Sequence, residues 1–150
     1  ESVMEDSEIG ACYGDLVYVN DSDEVVRYWQ SSEYRRYKFY LGWMPAHPTF
    51  YVKRELYEEL GDYDTSFPIS SDYELMLRFL LKNGVETAYI DRIMVRMTLG
   101  GMSNSSVGNV LQVIRDMYGA WDKHTRFGKF TAPFLHPVEK IPQFIRKPPL

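Results

Sequence analysis

The sequence has a single cysteine, Cys12, and no apolar run approaching the ~20 residues that span a bilayer. One cysteine excludes a framework of internal disulfides, and its neighbours Ala11 and Tyr13 indicate a small buried residue in a strand. The first eight residues, ESVMEDSE, are acidic, which is not the pattern of a secretory signal peptide. We therefore expect a protein of a reducing, intracellular compartment, either soluble or peripheral to a membrane.

Internal repeats and phosphate-cradling glycine loops are missing as well. Gly100 and Gly101 are followed by Ser103, but the spacing matches neither G-x-x-x-x-G-K nor G-x-G-x-x-G. By itself this segment predicts a flexible loop that could act as a lid. It does not predict a nucleotide site.

The 150 residues, 45% of them hydrophobic, are enough for one globular domain with a core. The aromatic content of 15%, with twelve tyrosines, is typical both of grooves that stack flat ligands such as sugars and of mixed cores. The β-prone runs at 9–19 and 25–29, separated by turn residues 20–24, predict a hairpin. The remaining patterns predict helices over 53–60, ended by Gly61, over 72–83 and over 107–124, with separate strands over 86–90 and 93–99. This mixture of strands and helices indicates an α/β class.

Charge divides the chain into two parts. Residues 123–150 contain six lysines and arginines against Glu139 alone, a net charge of +5, which leaves −9 for residues 1–122 out of −4 overall. We refer to 1–122 as the body and to 123–150 as the tail. A basic tail that contains aromatic residues either folds back on the acidic body or meets an anionic surface of lipid or nucleic acid. Three prolines, Pro133, Pro137 and Pro142, predict a segmented tail instead of one continuous helix.

Asp72 lies in the stretch PISSDYELMLRF, where two interpretations compete. Ser71 followed three residues later by Glu74 matches a capping box, in which the Ser71 hydroxyl and the Glu74 carboxylate satisfy the first amides of the helix. An acid at the first helical position also suits the helix dipole. The local pattern alone thus favours a structural role for Asp72 over a chemical one.

Two other patterns resemble metal sites. Asp21-Ser22-Asp23 matches the D-x-D pattern that holds a divalent cation on a nucleotide's phosphates, but its position between two strands is explained by turn chemistry. His47 has no cysteine or histidine nearby, which is more typical of a hydrogen-bonded structural histidine than of a metal ligand. We expect no metal ligands in this chain.

Taken in order, five segments resemble the second half of bacterial family 2 glycosyltransferases. They are YGDLVYVNDSDEVVRYW, MPAHPTFYVKRELYEELGDYDTSF, SSDYELMLRFLLKNG, AYIDRIMVRMTLGGMSN and KIPQFIRKP. The resemblance implies a partial GT-A fold, the acceptor-side half with mixed strands and helices, followed by the C-terminal tail. It implies an inverting transferase that moves a sugar from a nucleotide-sugar to a hydroxyl of a glycan or lipid-linked acceptor. In the family pattern Asp72 corresponds to the general base, and acceptor- or donor-side binding residues correspond to His47, Arg96, Gly100, Gly101 and Ser103.

The resemblance also implies what this chain lacks. The nucleotide-binding half and the metal-binding D-x-D of the family correspond to sequence before Glu1, so the Mg²⁺ or Mn²⁺ of a complete enzyme would have no ligands here. We expect the chain alone to be inactive, and either to self-associate through an uncovered strand edge or to need that N-terminal half. The implied location is the cytoplasm, at the inner membrane face through the tail, with no nucleic-acid partner. Two rival functions stay open: a non-catalytic sugar-binding module and a membrane-associated accessory module.

Overall fold

A nine-residue strand, β1 (Ala11–Val19), forms the centre of a four-stranded mixed sheet. It is buried along almost its whole length, as its nearly continuous apolar sequence predicts. The computed structural model describes residues 2–98, 107–125, 127–146 and 148. Strand β1 pairs antiparallel with β2 (Val25–Trp29) and β3 (Tyr51–Val52), and parallel with β4 (Thr87–Thr98).

Six α-helices accompany this sheet in the described part of the chain, and three of them match helices that the sequence predicts. The α-helices are α1 (Ser2–Glu5), α2 (Arg36–Tyr40), α3 (Arg54–Leu60), α4 (Ser71–Met76), α5 (Val107–His124) and α6 (Ala132–Glu139). Helix α4 continues as a π-helical segment, Leu77–Lys82, and short 3-10 turns lie at His47–Thr49, Gly128–Phe130 and Ile141–Phe144. The predicted α/β class is confirmed.

The predicted hairpin is confirmed between β1 and β2. The Asn20 side-chain oxygen accepts hydrogen bonds from the backbone N–H groups of Ser22 and Glu24, at 3.0 and 2.9 Å. Asp23 has a φ of 65°, a conformation that Asn and Asp tolerate better than most residues. The structure thus accounts for the Asp21-Ser22-Asp23 pattern as a turn.

The prediction of two strands between residues 86 and 99 is wrong, because β4 is one strand of twelve residues. Its register against β1 shifts between Tyr13 and Leu16, where β4 carries more residues than the strand opposite. Asp91 and Arg92, the two charged residues that separate the predicted strands, lie in this irregular part. Within the described ranges β4 pairs with β1 alone, so its outer edge is open.

The core lies between the sheet and the pair α4 and α5. Apolar residues at helical spacing along α4 and its π-helical continuation are buried against this core. They are Leu75, Met76, Phe79 and Leu80. Trp121 of α5 is fully buried and donates from its indole N–H to the Tyr73 hydroxyl at 2.8 Å. The helix ends at Asn83, followed by Gly84 at a φ of 67°.

The tail folds back on the body in short segments, as its prolines predicted. Gly42 allows this close approach: its φ is 88°, and an added Cβ would lie 2.4 Å from the backbone nitrogen of His136. Further along the tail, the Gln143 side chain accepts hydrogen bonds from Arg27 of β2. No helix in the described part of the chain is long and apolar enough to cross a membrane.

Candidate active site around Asp72 and His47

Asp72 is the second residue of α4, and its side chain is only partly covered, with 27% exposed. Its Oδ1 accepts a hydrogen bond from the backbone N–H of Tyr73 at 2.8 Å. Its Oδ2 lies 3.0 Å from Nδ1 of His47. The carboxyl group is therefore fixed by two contacts while it remains accessible to solvent.

The predicted capping box is wrong. Ser70, not Ser71, is the N-cap residue of α4, and its side chain makes no capping bond. Asp116 of α5 takes over this role: its Oδ2 accepts hydrogen bonds from the backbone N–H groups of Ile69 and Ser70, each at 3.0 Å. The cap is thus supplied by tertiary packing, which a local pattern cannot reveal.

Glu74 turns inward instead of reaching back to the helix start. Its side chain is fully buried, with Oε1 3.0 Å from Nε of Arg78 and 2.5 Å from Nε2 of His124. These hydrogen bonds lower the pKa of Glu74 although burial by itself raises it. Glu74 therefore stabilises the core, and Asp72 is the acid of this turn that faces outward.

His47 is held by a short turn that is tied to the sheet. The turn begins at His47-Pro48 and continues to Thr49, whose buried hydroxyl accepts from the Gly14 N–H at 3.1 Å and lies 2.7 Å from the Ala46 carbonyl oxygen. Proline at the second position suits such a turn because its φ is fixed in the helical range. The loop that carries His47 is thereby anchored to β1.

The ring of His47 meets Trp29 edge to face, with 6.1 Å between ring centroids. Burial lowers the pKa of His47, the Lys140 charge acts in the same direction, and the Asp72 carboxylate opposes both. His47 is therefore mainly neutral at pH 7, and Nδ1–H is the tautomer that donates to Asp72. Trp29 and Lys140 are site residues that the sequence analysis missed.

A cleft of about 310 Å³ lies between the body and the tail, next to this pair. Asp72 and His47 do not line it, but Trp29 and Lys140 do, and both of these also act on His47. The other lining residues include aromatic, hydroxyl and charged side chains, among them Trp43, Ser31, Lys38 and Arg146. The cleft thus adjoins the Asp72–His47 pair.

The remaining predicted site residues lie elsewhere or outside the described residues. The Arg96 side chain forms a salt bridge of 2.6 Å with Asp23 in the hairpin turn. Gly100, Gly101 and Ser103 fall in the segment that the structure does not describe. Of the predicted set, the structure brings together Asp72 and His47.

The residues present do not fit the divalent cation that the family resemblance implies for a complete enzyme. Asp23 is neutralised by Arg96, and the described ranges contain no group of three histidine, cysteine or acidic side chains placed to hold a metal ion.

Comparison with protein-family models, curated proteins and solved structures finds no match. A partly exposed carboxylate hydrogen-bonded to a neutral imidazole can accept a proton from a hydroxyl group, which is the chemistry of a general base.

Proposed function

We propose that this chain is the acceptor-side half of an inverting glycosyltransferase of GT-A fold, with Asp72 as the general base. The family resemblance names both Asp72 and His47, which are 25 positions apart in the sequence. The observation that carries the proposal is the 3.0 Å contact between the Asp72 carboxylate and His47 Nδ1. Two residues named independently of the structure thus share one partly exposed site.

In an inverting transfer the acceptor hydroxyl attacks the anomeric carbon as the nucleoside diphosphate leaves. One carboxylate must take up the hydroxyl proton in that step. Each Asp72 oxygen accepts one hydrogen bond in the structure, from Tyr73 N–H or from His47, and keeps a further lone pair for the acceptor. His47 fixes the orientation of the carboxylate and is a positioning residue.

In this proposal the nucleotide-sugar is the donor, and a hydroxyl of a glycan or lipid-linked molecule is the acceptor. The donor and its Mg²⁺ or Mn²⁺ would be bound by an N-terminal half that pairs with this chain. The described residues contain no group of acidic, histidine or cysteine side chains placed to hold that cation.

The test is sugar transfer by the whole gene product, measured as nucleoside diphosphate release from a panel of nucleotide-sugars. Asp72→Asn should lower turnover by ~10² to 10⁴ while the circular dichroism spectrum and melting temperature stay unchanged. Asp62→Asn is the matched control, because Asp62 is exposed and only its backbone carbonyl accepts from Arg78. Near-normal turnover of Asp72→Asn would refute the assignment.

His47→Asn separates positioning from proton transfer, since the asparagine amide can replace Nδ1–H as donor to Asp72. We expect a loss of about tenfold in turnover, smaller than the loss for Asp72→Asn. If His47→Asn is the more damaging change, then His47 is the base and Asp72 orients it.

A second function, association with an anionic membrane surface, is favoured by the outer side of the tail. Large apolar side chains are exposed along this segment although the rest of the tail packs on the body. They are Phe127, Phe130, Phe134, Val138, Ile141, Phe144 and Ile145. Apolar side chains combined with the +5 charge of the tail suit a layer of anionic lipid headgroups.

Vesicle cosedimentation tests this second function. We expect binding to vesicles with anionic lipid, weakened by 0.5 M salt and by Phe134→Ser, whose side chain is 63% exposed. Tyr63→Ser is the control, because Tyr63 is an exposed aromatic residue of the body and lies outside the tail. Equal binding to neutral and anionic vesicles would remove the electrostatic part of the proposal.

A further inference from the structure

The cleft between the body and the tail has an excess of positive charge. Three cationic side chains line it, Lys38, Lys140 and Arg146, against the single acid Glu139. None of the three forms a salt bridge within 4 Å among the described residues. Their partners are neutral where they have partners: Lys38 donates to Ser32 Oγ and the Glu33 carbonyl, and Arg146 to the Gln30 side chain.

A fourth cation, Arg27, lies in the wall behind the cleft. It is 7% exposed, and its guanidinium group donates to the amide oxygen of Gln143, which itself lines the cleft. The guanidinium also stacks on Tyr18, Trp29 and Phe144, at 4.8 to 5.5 Å from the ring centroids. A buried cation without a carboxylate partner is costly, and an anion bound nearby would offset that cost.

Lys140 shows most clearly the effect of placing several positive charges close together. Its side chain is half-buried, and its ammonium group has no hydrogen-bond partner in the described part of the chain. Burial lowers the pKa of Lys140, the Arg27 charge lowers it further, and the Asp72 carboxylate opposes both. An unpaired lysine beside an open cleft has free donors for a ligand that carries negative charge.

The volume of the cleft and the residues that line it indicate which class of ligand it could bind. A volume of about 310 Å³ is at the small end of the range for sites that bind small molecules. The donors are ammonium and guanidinium groups, which suit phosphate oxygens, and the serine hydroxyls of Ser31 and Ser32 add neutral donors. Trp43, over which the Lys38 ammonium lies at 5.4 Å, provides an aromatic wall of the cleft.

We propose that this cleft binds the phosphate or diphosphate group of a phosphorylated ligand, with Lys140 and Arg146 as its main contacts. The identity of that ligand as the sugar acceptor rests on the proposed function: Lys140 lies between the cleft and Asp72, so the acceptor's phosphate would sit in the cleft while its hydroxyl reaches the carboxylate. Two sources of the same chemistry fit, a lipid-linked diphosphate and a soluble sugar phosphate.

The first test is calorimetric titration of the chain with inorganic pyrophosphate at low salt. Lys140→Gln and Arg146→Gln should each weaken binding about tenfold, the expected loss for one charge-assisted contact. Lys82→Gln, which removes the same charge from an exposed lysine beside His124 and away from the cleft, should bind pyrophosphate like the unchanged chain. Saturable binding that is equal in all three variants, or no binding at millimolar pyrophosphate, would overturn the proposal.

Two further arms identify the source of the phosphate. Farnesyl diphosphate binding more tightly than pyrophosphate supports a lipid-linked ligand, and glucose 1-phosphate binding more tightly supports a soluble one. Binding of neither compound at concentrations that saturate with pyrophosphate would overturn the assignment to a phosphorylated metabolite or lipid.

Failure of this inference can be separated from failure of the proposed function. Asp72→Asn should bind pyrophosphate at least as tightly as the unchanged chain, because it removes a negative charge near Lys140. If Lys140→Gln keeps full sugar transfer and its pyrophosphate affinity is unchanged, the proposed phosphate site in the cleft is refuted, and the assignment of Asp72 as the base is unaffected. If Asp72→Asn keeps full sugar transfer while Lys140→Gln binds pyrophosphate more weakly, the transferase mechanism is refuted, and the phosphate site is unaffected.

Discussion

Acidification should destabilise this protein through one buried histidine in the tail. His136 of α6 is 8% exposed, and its Nδ1–H donates to the Gly42 carbonyl oxygen at 2.7 Å. Burial lowers the pKa of His136 to about 4, the charges of Lys140 and Arg27 act in the same direction, and the bond to Gly42 opposes them. The other neighbouring ring, Tyr73, packs edge to face and is uncharged.

The sign of the effect follows from which state binds the proton more tightly. In the unfolded chain His136 titrates near its ordinary value of about 6.5, so between pH 6.5 and pH 4 the unfolded state holds more protons than the folded state. The contribution of neutral His136 to the free energy of unfolding is therefore complete above about pH 6.5, and it is lost as the pH falls from 6.5 towards 4. The difference between those values corresponds to about 3 kcal/mol of unfolding free energy.

Urea unfolding followed by tryptophan fluorescence, at several pH values from 7.5 to 4.5, measures this loss. His136→Asn removes the titration and keeps a donor for Gly42, because the asparagine amide can replace Nδ1–H. We expect the variant to be less stable at pH 7.5 by about 1 kcal/mol, from lost packing, but to lose about 2 kcal/mol less on acidification. Acidic groups such as Glu74, whose pKa is also lowered, contribute equally to both proteins.

His47→Asn is the matched control. The pKa of His47 is also lowered, but its side chain is 43% exposed, so its removal should change the pH dependence much less. Equal losses of stability on acidification in the unchanged chain and in His136→Asn would show that His136 is accessible to protons in the folded state, and the reasoning would fail.

Three further changes test the packing that supports the site. Glu74→Gln should cost about 3 kcal/mol in urea unfolding, because the buried carboxylate pairs with Arg78 and its loss leaves a buried cation unpaired. Ser71→Ala should change the same free energy by less than about 0.5 kcal/mol, and a larger loss would restore Ser71 as a cap. Gly42→Ala should lower stability by at least about 2 kcal/mol through its positive φ and the clash with the tail backbone, and an unchanged melting temperature would refute that contact.

Local patterns predicted the hairpin and three of the six α-helices described, namely α3, α4 and α5. The bounds of α5 match the prediction of 107–124, and α3 ends before Gly61 as expected. These elements have strong periodicity and clear stop signals within a few residues. Strand β4 was missed as a single element because Asp91 and Arg92 interrupt its apolar pattern, and a register irregularity accommodates them only in the paired sheet.

The candidate site depended on contacts that sequence spacing does not encode. Asp116 caps α4 from a helix more than forty residues away, so the capping box found in the sequence had a competitor that no local pattern contains. The contact between Asp72 and His47 joins the first turn of α4 to a separate short turn, and only the family resemblance named both residues. Lys140 was counted among the basic tail residues, but its position beside Asp72 follows from the folding of the tail.

The sequence left two possibilities open for the basic tail, which are folding back on the body and meeting an anionic surface. These two possibilities are compatible in the structure. His136 and Lys140 lie four residues apart and face the body, where one is buried and the other lines the cleft. Phe134 and Val138, also four residues apart on α6, are exposed. Helix α6 with its C-cap residue Lys140 therefore presents a polar inner side to the cleft and an apolar outer side to solvent. Because a helix with its side chains is about 10 Å across, a membrane bound at the outer side would lie within that distance of the cleft. A lipid-linked phosphate could then reach Lys140 without leaving the headgroup layer, so Phe134→Ser should weaken vesicle binding and leave pyrophosphate affinity unchanged.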